Sequence, residues 1–390
     1  MSQGVRRYAG QLAQSSGQLI RRHQPDYQIF MFAGILILVG LIVLFAISPA
    51  RVELINASGQ HIDEGHFMLK QSLNLIVGLV AFFVAASMPF SFWKKHANKI
   101  LLAGLAACFL LALLAIGQVS PALCTNGACR WYNLGFASFQ PAELLKFGVL
   151  LFLAGFLARR AAKGELDSVP NSLWPLLVII AVAGGLIVVA EKDMGTGLTL
   201  MGMIMTMIFA AGARLRTIGL ILVVLFGAFL LFSVTSPHRM ERLATFFHPE
   251  AASQEDSYHI DQATISIGSG GLFGRGLGNS RQAFGYLPEA VNDSIFAIFG
   301  ETFGFIGLVV VLWLFTMLLM RLLKTFRHLA DPAMRLMVAG VFGLIVSHVV
   351  VNVGAMTGIF PLTGVTLPFI SFGGTSLLFT MLALGIAFQI

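Results

Sequence analysis

From residue 27 to the C-terminus, long apolar runs alternate with short polar connections. A membrane-spanning helix needs roughly 20 mainly apolar residues. Such runs lie at about 27–48, 67–88, 100–117, 142–158, 174–190, 198–213, 217–235, 294–320, 334–354 and 370–390. The pattern predicts an all-α, polytopic membrane protein with about ten transmembrane helices. The fifth and sixth runs are short and meet at a polar tip, Glu191-Lys192-Asp193-Met194-Gly195-Thr196. Paired short segments can carry polar groups below the membrane surface to a site; a plain tilted hairpin is the alternative. The longest interruption, 236–292, holds Arg239, Glu241, Arg242, a Gly-rich run and a Leu-Pro-Glu turn. A segment that long and that varied is expected to be functional.

Composition removes the soluble alternatives. The chain is 57% hydrophobic and 11% charged, where a soluble domain carries about 25% charged residues. The net charge of +7 is not accompanied by an interleaved basic-aromatic patch, so no nucleic-acid partner is expected. Residues 1–26 carry Arg6, Arg7, Arg21 and Arg22 without an apolar stretch and cleavage site. They read as a cytoplasmic tail rather than a signal peptide, with 27–390 as a single transmembrane domain.

Most of the 25 Lys and Arg fall on the same side as that tail: Lys94, Lys95, Lys99, Arg159, Arg160, Lys163, Arg214, Arg216, Arg321, Lys324, Arg327 and Arg335. The positive-inside rule then predicts both termini cytoplasmic and 236–292 as one large extracytoplasmic loop between helices seven and eight. Arg51, Lys70, Arg130, Lys146, Lys192, Arg239, Arg242, Arg275 and Arg281 are left on the outer side, against the bias. Either they pair with acids there, or they serve an anionic ligand such as a lipid-linked phosphate.

Five groups of residues are candidates for chemistry. Glu143 and Lys146, in Gln140-Pro141-Ala142-Glu143-Leu144-Leu145-Lys146, share a helix face at i,i+3. Ionisable groups inside a span are costly and usually functional, although a structural ion pair is the plainer reading. Asp293 ends Leu287-Pro288-Glu289-Ala290-Val291-Asn292-Asp293 at the mouth of helix eight. There it can serve as a general base or merely cap the helix, and Glu301 two turns on reads as a buried strut. The run Gly268–Gly278 lacks the Gly-Lys-Ser/Thr ending of a nucleotide loop, so it reads as a flexible loop whose amides approach a ligand. Cys124 and Cys129, on the oxidising side, favour a disulfide, and Cys108 reads as packing. His348 and Asn352 face one side of helix nine and read as a bonded core pair.

These blocks resemble the SEDS family (shape, elongation, division and sporulation), peptidoglycan glycosyltransferases typified by RodA and FtsW. The resemblance runs from Arg130-Trp131-Tyr132-Asn133-Leu134-Gly135 and Gln140–Glu143 through Asp193–Thr196 and Ile267–Gly271. It continues with Gly276-Leu277-Gly278-Asn279-Ser280, Leu287–Glu289 with Asp293–Ala297, and Pro361–Gly364 through Leu367–Gly374. The Gly-Leu-Gly-Asn-Ser block leans toward the division member, FtsW. Two positions depart from the family pattern: Val291-Asn292 replace a His-Thr pair, and Thr302 replaces a second Glu.

The resemblance implies polymerisation of lipid II on the outer face, with Asp293 as catalytic base. It implies substrate-binding roles for Lys146, Glu143, Arg130, Asp193, Arg239, Arg242, Arg275 and Glu289. It implies no cofactor, with a divalent cation left open. Expected partners are lipid II, the membrane, a class B penicillin-binding protein transpeptidase and other division proteins. The expected place is the bacterial cytoplasmic membrane, at the division septum. Gly300, Gly304 and Gly307, with Gly340, Gly343 and Ser347, are expected to admit the partner's helix. Competing readings are a lipid II flippase, an elongation-type polymerase and a non-catalytic division scaffold.

Overall fold

The computed structural model describes residues 25–57, 59, 61–117, 119–125, 128–135, 138–234 and 254–390. Each predicted run forms a helix. These are α1 Tyr27–Ala57, α2 His66–Ser87, α3 Phe90–Gly117, α4 Pro141–Ala162, α5 Val169–Ala190, α6 Met194–Ala211 and α7 Leu215–Val234. After them come α8 Gln254–Ser269, α9 Ile295–His328, α10 Pro332–Met356 and α11 Gly374–Gln389. Among the described residues, 8 are long and apolar enough to cross a membrane; Leu215–Gly227 of α7 and α11 are shorter apolar helices. α5 opens and closes with π-helical turns, Val169–Leu173 and Gly185–Ala190.

Helix ends follow local chemistry. α4 begins with Pro141, carries Glu143 in its first turn and ends with Arg159 and Arg160, each placed to suit the helix dipole. Asp193 caps α6 by accepting the Thr196 amide at 3.0 Å, and α6 stops at Gly212 in the left-handed region, φ 87. Asp331 caps α10 through the amides of Ala333 and Met334.

α4 and α10 are the centre of the molecule: 89% and 72% of their apolar windows are buried, against 22% in α2 and α3. The outer helices turn large apolar side chains outward, as Leu73, Ile76, Val80 and Phe83 of α2 do. α3 and α4 meet backbone to backbone. A Cβ on Gly104 would stand 2.7 Å from the Leu145 Cα, and one on Gly148 2.8 Å from the Leu101 Cα.

The glycines expected to receive a partner's helix are instead filled from within. A Cβ on Gly340 would strike Leu150 and Met207, one on Gly343 would strike Thr206 and Met203, and one on Gly300 would crowd Ile267. Gly304 lies on Gly274 and Leu272, and Gly307 faces Phe303 of its own helix. Ser347 donates to carbonyls of α6 and α10. Small residues here serve internal packing, which corrects that expectation.

One small sheet interrupts the helices. Strands β1 Ala122–Thr125, β2 Ala128–Asn133 and β3 Ser138–Phe139 pair antiparallel in that order. Cys124 and Cys129 are cross-strand partners and form the expected disulfide; Cys108 is buried and free. The Tyr132 hydroxyl donates to the Ala107 carbonyl at 2.7 Å, fastening the sheet to α3.

The Gly-rich run is not a free loop. α9 breaks at Gly304, φ 69 and ψ −167, and a break of that kind orphans backbone groups that must find partners. The run supplies them. The amides of Arg275 and Gly276 donate to the carbonyls of Glu301 and Thr302 at 2.8 and 3.0 Å. In return, the amides of Phe305 and Ile306 donate to Gly271 and Leu272 at 2.8 and 3.1 Å. A Cβ on Gly270 would collide with the Gly300 carbonyl. These glycines permit close backbone contact with α9, so the expectation of a flexible, ligand-facing loop is corrected.

Candidate active site

Asp293 stands at the end of a tight turn. Glu289 adopts φ 49, a left-handed conformation unusual for a non-glycine residue. Its carbonyl accepts the amides of Asn292 and Ser294 at 2.9 and 3.2 Å. The Asn292 side chain donates to the Glu289 carboxylate at 2.5 Å, so Glu289 closes the turn it begins. The N-cap position of α9 is Ser294, directly after Asp293.

The turn is held from two further elements. Asn352 of α10 donates from one side-chain nitrogen to the carbonyls of Asp293 and Val365, each at 2.7 Å. The Phe372 amide donates to the Val291 carbonyl at 2.9 Å. Both contacts bind the Asp293 turn to the non-helical segment 361–373. Gly364 of that segment, at φ 69, lies beside the carboxylate: a Cβ there would come within 3.8 Å of Oδ2. Asp293 is 8% exposed, a carboxylate largely withdrawn from water.

Lys146 lies on the other side of the same segment. Its Nζ is 2.9 Å from Glu143 Oε1 and 3.0 Å from His348 Nε2. An ammonium only donates, so His348 accepts at Nε2 and carries its proton on Nδ1, which faces the Thr366 carbonyl at 3.2 Å. His348 and Asn352 thus bond to 361–373 rather than to each other. A continuous chain of contacts leads from Glu143 through Lys146, His348 and Thr366 to Val365, Asn352 and the Asp293 carbonyl. Lys146 is 2% exposed, and its ammonium holds Glu143 and His348 with two of its three donors.

Glu191 and Asp193 of the polar tip between α5 and α6 are buried, and Lys192 is exposed. Glu191 is fully buried. Asp193 accepts the Gln140 side chain at 2.9 Å and the Thr196 hydroxyl at 2.8 Å. Gln140 also donates its amide to Thr375 at 3.3 Å. Arg130 donates to the Lys192 carbonyl at 2.9 Å, joining the sheet to the tip.

Arg275 stands apart from this cluster: its guanidinium lies 3.8 Å from Glu301 and donates to the Ser269 carbonyl. Glu301 is the strut that the sequence suggested, accepting the Ser280 hydroxyl at 2.6 Å and the amides of Arg281 and Gln282. Arg239 and Arg242 lie outside the described residues. Gln140 and the bridging roles of His348 and Asn352 were not foreseen, because each depends on partners more than fifty residues away or on a neighbouring helix.

Residues 27–390 match the model of the FtsW/RodA/SpoVE cell cycle proteins. The chain belongs to this family. It is 33% identical over 353 residues to a probable peptidoglycan glycosyltransferase FtsW of Coxiella burnetii, covering 90% of this chain and 93% of that one. It is 32% identical over 371 residues to the stage V sporulation protein E of Bacillus subtilis, covering 95% and 98%. A chain solved in a study of how a peptidoglycan synthase complex coordinates polymerization and crosslinking matches with TM-score 0.73 and 25% identity, covering 94% and 97%. The Thermus thermophilus rod shape determining protein RodA matches with TM-score 0.67 and 27% identity, covering 95% and 97%. The likeness to the family therefore extends over the whole fold. The blocks that first suggested it form the Asp293 turn, the adjacent 361–373 segment, the buried tip, the sheet and the staple on α9.

Proposed function

We propose that this multi-pass membrane protein is a peptidoglycan glycosyltransferase that polymerises lipid II on the outer face of the bacterial cytoplasmic membrane during division. The observation that carries the reading is Asp293: a carboxylate largely withdrawn from water, on a turn held by the Asn352 side chain of α10 and the Phe372 amide of the 361–373 segment. In the reaction, a hydroxyl of the acceptor sugar attacks the anomeric carbon of the donor strand. The bond to the lipid pyrophosphate breaks, the pyrophosphate leaves with the bonding electrons, and Asp293 takes the hydroxyl proton. A hydroxyl is a weak nucleophile at neutral pH, and a positioned base contributes about 10²–10⁴-fold. Charge accumulates on the leaving pyrophosphate, where fixed cations stabilise it; Lys146, Arg130, Arg239, Arg242 and Arg275 are the candidates.

Two features support this reading over a flippase. The polar cluster is confined to the end of the molecule where α4, α6, α9 and α11 begin. Below Lys146, α4 buries the apolar side chains of Val149, Leu150, Leu153 and Leu157. That opposite end carries the basic residues of the positive-inside pattern, Arg159, Arg160, Arg214, Lys324 and Arg335. The division role and the pairing with a class B penicillin-binding protein rest on the FtsW-like relatives and on the synthase complex. The decisive test is purified protein with labelled lipid II and a gel readout of polymer. Asp293→Asn, nearly isosteric, should abolish polymer while leaving membrane insertion intact. Wild-type polymer from that variant would remove Asp293 from the mechanism.

A further inference from the structure

The base turn has a third anchor, which comes from the long outer segment. His259, in α8, lies with Nε2 2.7 Å from the Ser294 hydroxyl oxygen. Ser294 is fully buried and follows Asp293 directly. Its hydroxyl donates to the Pro288 carbonyl at 2.8 Å, and a carbonyl can only accept. The Ser294 hydroxyl thus links the Pro288 carbonyl to His259 Nε2. The bond crosses from α8 to both ends of the turn that presents the carboxylate, Pro288 and Ser294. A second contact docks α8 lower down: the Ser266 hydroxyl donates to the Ala297 carbonyl at 3.0 Å. That contact touches the first turn of α9 but not the base turn.

We propose that His259 is a positioning residue for the Asp293 base, holding the 288–294 turn through Ser294 so that docking of α8 sets the aim of the carboxylate. This rests on the reading of Asp293 as base. It assigns to α8 a role in catalysis that the sequence of the outer segment does not announce, since His259 sits in no recognisable motif.

The test uses the full-length protein in detergent with labelled lipid II. His259→Ala should lower kcat about tenfold, which is about 1.4 kcal/mol of barrier, with KM changed less than about twofold. His259→Gln, whose amide N–H reaches a similar distance, should recover most of kcat. Ser294→Ala should copy His259→Ala, and the double variant should be no worse than either. Hydrogen exchange at the Asp293 and Ser294 amides should quicken in His259→Ala but not in the control Ser266→Ala. Wild-type kcat in His259→Ala overturns the proposal, and so does an equal loss in His259→Gln, which would mean that only ring packing matters. If His259→Ala does not fold, Ser294→Ala carries the test, and wild-type kcat there also overturns it. Failure of the underlying reading looks different: Asp293→Asn would then polymerise normally, whatever the His259 variants do.

Discussion

Replacing Lys146 by Met asks the most of the site. The ammonium is 2% exposed and sits 2.9 Å from Glu143 and 3.0 Å from His348. At that separation the ion pair is worth about 6 kcal/mol at an effective dielectric of about 20, and desolvation of both groups offsets much of it. Removal of one partner leaves a buried carboxylate uncompensated, which typically costs about 3–5 kcal/mol. Lys146→Met should lose about that much in a reversible unfolding titration in mixed micelles. Glu143→Gln together with Lys146→Met removes both charges. It should return to within about 1–2 kcal/mol of wild type, the remainder being the lost bond to His348.

Polymerisation should not return with the fold. Met can neither hold His348, and through it Thr366 and the Asp293 segment, nor offer a cation to the pyrophosphate. Loss of a group of that kind costs about 10²–10³ in rate. Lipid II polymerisation at wild-type rate by the refolded double variant would refute the argument and leave the pair a structural one.

Three further expectations test the frame around the site. Gly343→Ala should destabilise the protein by about 1–3 kcal/mol, because a Cβ there would lie 2.7 Å from the Thr206 Cβ and 3.1 Å from the Met203 Cα; an unchanged melting temperature would show that α6 and α10 can part. The Thr217 hydroxyl, then the Arg214 amide and guanidinium, hold the Asp167 carboxyl below its usual range. Its contribution is present above the ordinary carboxylate pKa of about 3.9 and lost as pH falls through the lower folded value. Hydrogen-exchange protection factors at residues 213–217 should therefore fall on acidification below about pH 4, and Asp167→Asn should remove that dependence. Asn279→Cys should react with an impermeant thiol reagent in intact cells and Lys163→Cys should not; the reverse labelling would invert the topology.

How far the sequence could be read follows from the range of each interaction. The ten apolar runs were legible because span length is a local property set by bilayer thickness, and only their ends shifted. α3 extends back to Phe90 through Lys94, Lys95 and Lys99, and α11 begins at Gly374. The Glu143–Lys146 pair was legible for the same reason, being i,i+3 on one helix. Strands of two to six residues inside a loop carry almost no periodic signal, and the sheet was missed while its disulfide was expected from two nearby cysteines on the oxidising side. The Gly-rich run misled because glycine marks either freedom or close contact, and only the break at Gly304 decides between them. The same holds at the site. Asp293 could be singled out by its place at a helix mouth. What holds its turn is supplied by Asn352, Phe372 and His259, from three separate elements. Each is an ordinary residue in its own local sequence. The catalytic candidate was therefore readable as a position, while its geometry depends on tertiary partners that no local spacing encodes.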